Sequence, residues 1–204
     1  MISLGFLPRL LRASYLSIYG IFMDALTLLQ TRQSDPRLIA PGPTAEQLEI
    51  IKRAAIKVPD HGCIAPWRFI VVEGDARNKL GDIYHQAAVA ENQDDRTIER
   101  AKELPLRSPM MIIAIADVTE NPKVPRIEQV QSAGCAVLAM QQAAFAQGLG
   151  GIWRTGYFAQ SPAVKAALGC KEQDEIVGYL YLGTPEIDIK KPIRHKPETF
   201  FENL

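Results

Sequence analysis

Five residues of this chain could together grip an anion and a flat ring: Arg32, Ser34, Lys57, Arg154 and Arg194. Each falls where a helix or strand is expected to end, or in the tail beyond the last strand. Glycines or prolines nearby permit close backbone approach. An arginine with a hydroxyl suits a phosphate, and a separate cation suits the electron-rich edge of a ring. Backbone amides beside glycines suit a ring's polar rim. Taken singly, each basic residue reads as a solvated surface charge. Their spread over element ends is what points to a phosphate-bearing planar cofactor.

The loop Val58-Pro59-Asp60-His61-Gly62-Cys63-Ile64-Ala65-Pro66-Trp67 adds a histidine to this set. Pro59 ends the helix before it and Pro66 biases Ala65 to an extended conformation, so the loop is stiff. Stiff loops on a scaffold are where ligand contacts concentrate. His61 and Cys63 lie two apart and would point the same way in extended chain, as a Cys–His nucleophile requires, yet no orienting third group accompanies them. Gly148-Leu149-Gly150-Gly151 does not make a dinucleotide fingerprint, because Trp153 takes the third glycine's place and the cluster follows a helix. The three histidines (His61, His85 and His195) have no metal-ligand spacing, so no metal site is expected.

The elements that must position these residues alternate along the chain. Asp24 caps a short helix ending near Thr31, and the prolines and Gly42 of residues 36–43 read as a loop. Thr44 and Gln47 have the spacing of a capping box for a helix closed by Pro59. Arg68 to Val72 reads as a strand, Asp75 to Ala90 and Asp94 to Leu104 as helices, and Met110 to Ala116 as a strand buried on both faces. Glu128 to Gln147 is a long helix, apolar nearly all round, as a core or subunit-interface helix is. Gly151 to Arg154 reads as a strand, Ser161-Pro162 starts a helix ending at Gly169, and Glu175 to Leu182 is the last strand. The sum is one α/β-type domain with helices on a mixed sheet.

Composition bounds the function. The chain has 204 residues, 47% hydrophobic and 23% charged, with 23 Lys and Arg against 23 Asp and Glu. A zero net charge offers no field for nucleic acid or an acidic membrane, so neither is an expected partner. Cys63, Cys135 and Cys170 are odd in number and widely spaced, as in a reducing, cytoplasmic setting. Residues 1–22 are apolar but broken by Arg9 and Arg12. They are expected to lie outside the fold, which occupies residues 23–204 as a single domain.

Four segments then resemble the nitroreductase superfamily of flavin enzymes: Asp24 through Ser34; Ala54 to Phe69, with Pro59-Asp60-His61 and Pro66-Trp67; Lys123 through Ala136; and Gly150 to Arg154, continued by Glu172-Gln173-Asp174 and Leu180 to Pro185. The resemblance implies an α+β domain, a mixed central sheet flanked by helices, in an intertwined homodimer with FMN in each of two clefts between subunits. By the family pattern Arg32, Gln33 and Ser34 meet the phosphate and ribityl region, Lys57 and His61 reach the flavin from the partner subunit, and Trp153, Arg154 and Thr155 line it through backbone groups. Arg194 completes the phosphate site. Two positions depart from the pattern: Gln33 stands where a second arginine is usual, and Ala65 where a polar residue is common.

The resemblance implies hydride transfer from NAD(P)H through flavin N5 to nitroaromatic or quinone-like acceptors, with no protein nucleophile. The alternatives are a dehalogenase or dehydrogenase on the same scaffold, and a flavin-binding protein without turnover.

Overall fold

The computed structural model describes residues 23–187, 192 and 195–204. The expectations for residues 1–22 and for Arg194 fall outside them. The chain divides into two compact units, Met1–Arg32 and Gln33–Leu204. In the first, helix α1 (Ala25–Thr31) starts where expected, with the Asp24 carboxylate accepting the Leu26 and Thr27 amides and the Thr27 hydroxyl. Arg32 follows it, its amide donating to the Leu28 carbonyl.

The second unit runs through β1 (Leu38–Ile39), α2 (Ala45–Ala55), β2 (Arg68–Glu73), α3 (Ala76–Ala90), α4 (Asp95–Ala101), β3 (Met110–Ala116), α5 (Arg126–Ala146), β4 (Gly150–Arg154), α6 (Tyr157–Gln160), α7 (Pro162–Ala167) and β5 (Glu175–Pro185). The capping box forms: the Gln47 amide donates to the Thr44 hydroxyl, and the Thr44 amide donates to the Gln47 side chain. Ser161 caps α7 by accepting the Val164 amide. Helix α4 stops at Ala101 rather than Leu104, because Pro105 sits in a separate 3-10 turn over Leu104–Arg107. Strand β1 lies in the stretch expected to be loop; two residues between prolines carry no alternation to read.

Strand β5 is the spine of the sheet. It pairs with β3 along one edge and with β4 and then β1 along the other, and β2 lies outside β3. All four pairs are antiparallel, where strands of mixed direction had been expected; the α+β class and flanking helices are as expected. Strands buried on both faces look alike in either kind of sheet, so direction is not legible locally. Every residue of β3 is buried. Met111, Ile113 and Ile115 pack with Leu80, Tyr84 and Phe158 on one face. Met110, Ile112 and Ala114 pack with Ile51, Val137 and Met140 on the other.

The start of β5 is pinned electrostatically. Glu175 lies 2.7 Å from Lys165 Nζ and 2.5 Å from Arg126 Nη2. Partial burial pushes its carboxyl up, but these two cations outweigh burial and hold it below its ordinary value. A carboxylate with a depressed folded pKa stabilises the fold above its unfolded value, and that stabilisation disappears as pH falls through the folded value. The stability advantage of the wild type over Glu175→Gln, measured by urea unfolding, is therefore expected to be constant near neutrality and to shrink below about pH 4. An advantage that stays level into the acid range would mean that the clamp contributes nothing.

Candidate functional site

The loop after α2 is built from left-handed residues. Gly62, Cys63 and Ala65 have φ of 73°, 53° and 49°, and a side chain in that region costs about 1–2 kcal/mol. Asp60 holds the turn: its carboxylate accepts the Ile64 and Ala65 amides at 3.2 and 2.8 Å. Helix α5 grips it from beneath, with the Ser132 hydroxyl donating to the Pro59 carbonyl at 2.6 Å and Glu128 Oε2 lying 2.6 Å from His61 Nδ1. The chain over His61–Cys63 is a 3-10 turn rather than extended, so the geometry that a Cys–His pair would need is not formed. Lys57 stands at the head of this loop, exposed.

A second cluster forms where β4 meets the segment leading into β1. The buried Gln141 of α5 donates to the Gly151 carbonyl at 2.9 Å and to the Ser34 hydroxyl at 3.3 Å. The Asp35 amide donates to the same Gly151 carbonyl at 3.0 Å. Gln33 donates from its amide to the carboxylate of the buried Asp35 at 3.1 Å, which gives the departure at position 33 a structural role. Gly150 makes the approach possible, since a Cβ there would sit 2.6 Å from Leu38 and 3.3 Å from Asp35.

At the other end of β4, Trp153 Nε1 donates to the Val177 carbonyl at 3.0 Å. The indole crosses so close to Gly178 that a Cβ there would lie 2.0 Å from Nε1, and its far edge reaches the Gly134 position on α5. Trp153 and Thr155 line two cavities. One, about 840 Å³, runs along α5 past Gly134, Cys135 and Leu138. The other, about 720 Å³, is closed by α4, the 3-10 turn after it and residues 153–158. Arg154 lines only the second. Its floor is fixed by Glu91, which accepts from the Tyr157 and Ser161 hydroxyls and the Ala163 amide.

Among the expected site residues, Ser34 is thus tied to β4, and Trp153, Arg154 and Thr155 form cavity walls. Lys57 and His61 lie on the α2–β2 loop and line neither cavity. No group of His, Cys, Asp and Glu among the described residues could hold a metal. Sequence reasoning missed Gln141, Glu128, Ser132 and Glu91. The signal for two of them was present: Ser132 and Gln141 are polar side chains on the buried face of α5, and such groups are costly to bury unless bonded.

A helix-flanked antiparallel sheet with these two clusters at the ends of one short strand defines an α+β domain. The sequence model of the Nitroreductase family matches residues 31–184, and the chain belongs to that family of oxidoreductases. It is 50% identical over 179 residues to "Putative NAD(P)H nitroreductase YdjA" of Escherichia coli (strain K12), covering 88% of this chain and 98% of that protein. Among solved structures, the nitroreductase-like family protein from Bacillus cereus superposes with a TM-score of 0.78 at 21% identity, covering 90% of this chain and 97% of that one. A protein from Desulfovibrio desulfuricans described as "a putative nitroreductase in complex with fmn" gives 0.66 at 21% identity over 89% and 98%.

Gly178→Ala is expected to drive the Trp153 indole from its slot, break its bond to Val177 and destabilise the fold by about 1–3 kcal/mol. In a Trp67→Phe background the remaining tryptophan emission should shift to the red; an unshifted spectrum would show that the slot tolerates the methyl.

Proposed function

We propose that the protein is an FMN-dependent oxidoreductase that takes a hydride from NAD(P)H and delivers it to nitroaromatic or quinone-like acceptors. The observation that carries this reading is the tie between Ser34 and β4, the strand that runs through Trp153 and Arg154 to Thr155 just beyond it. Gly151 and Arg154 are separated by three residues of strand, about 10 Å. That spacing suits a ligand with a phosphate at one end and a flat ring at the other.

The residues present fit such a group. Ser34 offers a hydroxyl held by Gln141, with Arg32 two positions before it. Residues 153–155 offer backbone and indole beside a cavity. The D. desulfuricans neighbour, solved with FMN, supports the same assignment. Bound there, the flavin would supply hydride acceptance and donation at N5. Lys57, brought from a partner subunit, would set its ammonium against the ring edge where negative charge collects on reduction, and in a low-dielectric cleft that favours the reduced form. His61, held by Glu128, would flank the same edge. Arg194 would join Arg32 at the phosphate.

A homodimer is part of this reading, because Lys57 and His61 line neither cavity of their own chain. The face of α5 that carries Ile127, Gln131, Cys135 and Leu138 is left uncovered, with Ile127 59% and Leu138 40% exposed. One helical face with this spacing, bordering an 840 Å³ cavity, is suited to a second copy of the chain. We further assign residues 23–204 to one nitroreductase domain with residues 1–22 outside it, and its three free thiols to the cytoplasm.

The test is an absorbance spectrum of the purified protein followed by anaerobic titration with NADH and NADPH. A flavin spectrum bleached by either nicotinamide is expected. A protein that stays colourless after reconstitution would overturn the reading, and a flavin that neither nicotinamide reduces would leave a binding protein instead. Lys57→Ala should lower the two-electron potential by about 30 mV, equivalent to about 1.4 kcal/mol; an unchanged potential removes Lys57 from the ring edge. Leu138→Glu should convert a dimer to a monomer in sedimentation and lower flavin occupancy with it.

A further inference from the structure

The 720 Å³ cavity carries a charge pattern that hydride chemistry at a flavin does not require. Four of its lining residues are arginines: Arg96 and Arg100 from α4, Arg107 from the 3-10 turn, and Arg154 at the end of β4. Arg96 and Arg100 are one helical turn apart and share a face, an arrangement that repels itself by a few tenths of a kcal/mol. None of the four makes a salt bridge among the described residues. Arg37, Arg53, Lys79, Lys102, Arg126, Lys165 and Lys171 do, whereas Lys52, Lys57 and Lys123 also make none among the described residues. Arg68 and Arg77 instead bond backbone carbonyls.

One acidic residue borders the cavity, Asp94, and its single negative charge offsets one of the four positive ones. Its carboxylate caps α4 by accepting the Thr97 amide and hydroxyl at 2.9 and 3.0 Å. In a chain of zero net charge, four guanidiniums against one lining carboxylate, with Glu91 beneath the floor, leave the concavity net positive. Exposed arginines on a convex face would need no explanation; convergence on a cavity does. The floor beneath them is aromatic: Tyr157, Phe158 and Tyr181. Burial pushes the Tyr181 phenol up, and Arg107 and Arg154 pull against it, so both charges act on that buried ring. The volume falls in the range of small-ligand sites.

We propose that this cavity is an anion-recognition site, in which Arg96, Arg100, Arg107 and Arg154 receive the phosphate or carboxylate groups of a ligand whose planar part rests on the aromatic floor. Guanidinium forks match both anions with paired hydrogen bonds, which lysines would not. Resting on the oxidoreductase reading, the ligand is one of the two co-substrates. The anion belongs either to the phosphates of the nicotinamide dinucleotide or to an acid group on the acceptor. Glu91 keeps Tyr157 and the start of α7 in place beneath the site.

The test uses the full-length protein and the double variant Arg96→Gln/Arg100→Gln, with Arg53→Gln as a remote control. Inorganic pyrophosphate is titrated calorimetrically at two salt concentrations, and melting temperature and flavin content are recorded for each protein. Pyrophosphate should bind the wild type and Arg53→Gln alike, weaken with salt, and lose about tenfold in affinity in the double variant. Arg96→Lys/Arg100→Lys should recover part of that loss, which separates lost charge from lost folding.

Steady-state kinetics then assign the anion. A raised KM for NADPH with the KM for nitrobenzene unmoved supports the dinucleotide phosphates. A raised KM for 4-nitrobenzoate, with those for nitrobenzene and NADPH unmoved, supports an acidic acceptor. Equal pyrophosphate binding in the wild type and the double variant would overturn the proposal. Because the titration does not depend on a flavin, a colourless protein that still binds pyrophosphate through these arginines would sink the flavoprotein reading and leave the anion site standing.

Discussion

The close packing around strand β4 is the constraint on which the site depends. Gly150 lets the segment carrying Ser34 and Asp35 lie against one end of the strand. Gly178, on β5, lets the Trp153 indole cross the other. Neither approach leaves room for a β-carbon. Gln141 then ties the first of these contacts to α5, since its amide spans Ser34 and Gly151. A buried amide with two partners is stable where an unbonded one would cost about 1–3 kcal/mol. The strand is thereby held at both ends, and whatever binds along it meets a rigid wall.

Charge is distributed to the same purpose. At the start of β5, Glu175 is neutralised by Lys165 and Arg126, and Lys171 pairs with Asp117 nearby. Those cations stabilise structure and are spoken for. The arginines around the second cavity form no ion pair among the described residues, and Asp94, which caps a helix beside them, offsets only one of the four. A balanced composition thus conceals a molecule with a paired region and a positive recess. Net charge alone could not disclose the recess.

Much of the fold was legible. Asp24, the Thr44–Gln47 box and Ser161 start helices because each satisfies amides that would otherwise be free, and that chemistry is local. Met110 to Ala116 is buried throughout, as an unbroken apolar run must be. The two-residue β1 was not legible, because its pairing with Thr184 and Pro185 depends on partners nearly 150 positions away. The antiparallel direction of the sheet was hidden for the same reason. Of the candidate site, Ser34, Trp153, Arg154 and Thr155 were singled out from residue type, family pattern and position, and the structure ties the first to β4 and sets the others in cavity walls. Gln141 and Glu91 were not, because their roles exist only once distant segments are packed together.

The amino-acid sequence by itself determined most helix starts, the family and the residue types available for binding an anion and a ring, because caps, prolines and motifs act over a few residues. Tertiary structure decided which of those residues meet. It joined Ser34 to Gly151, turned Gln33 inward to Asp35, engaged His61 with Glu128, and gathered Arg96, Arg100, Arg107 and Arg154 around one hollow. Those juxtapositions follow from how α5 and β4 pack on β5 and α4 on α3, and packing is a property of the whole chain.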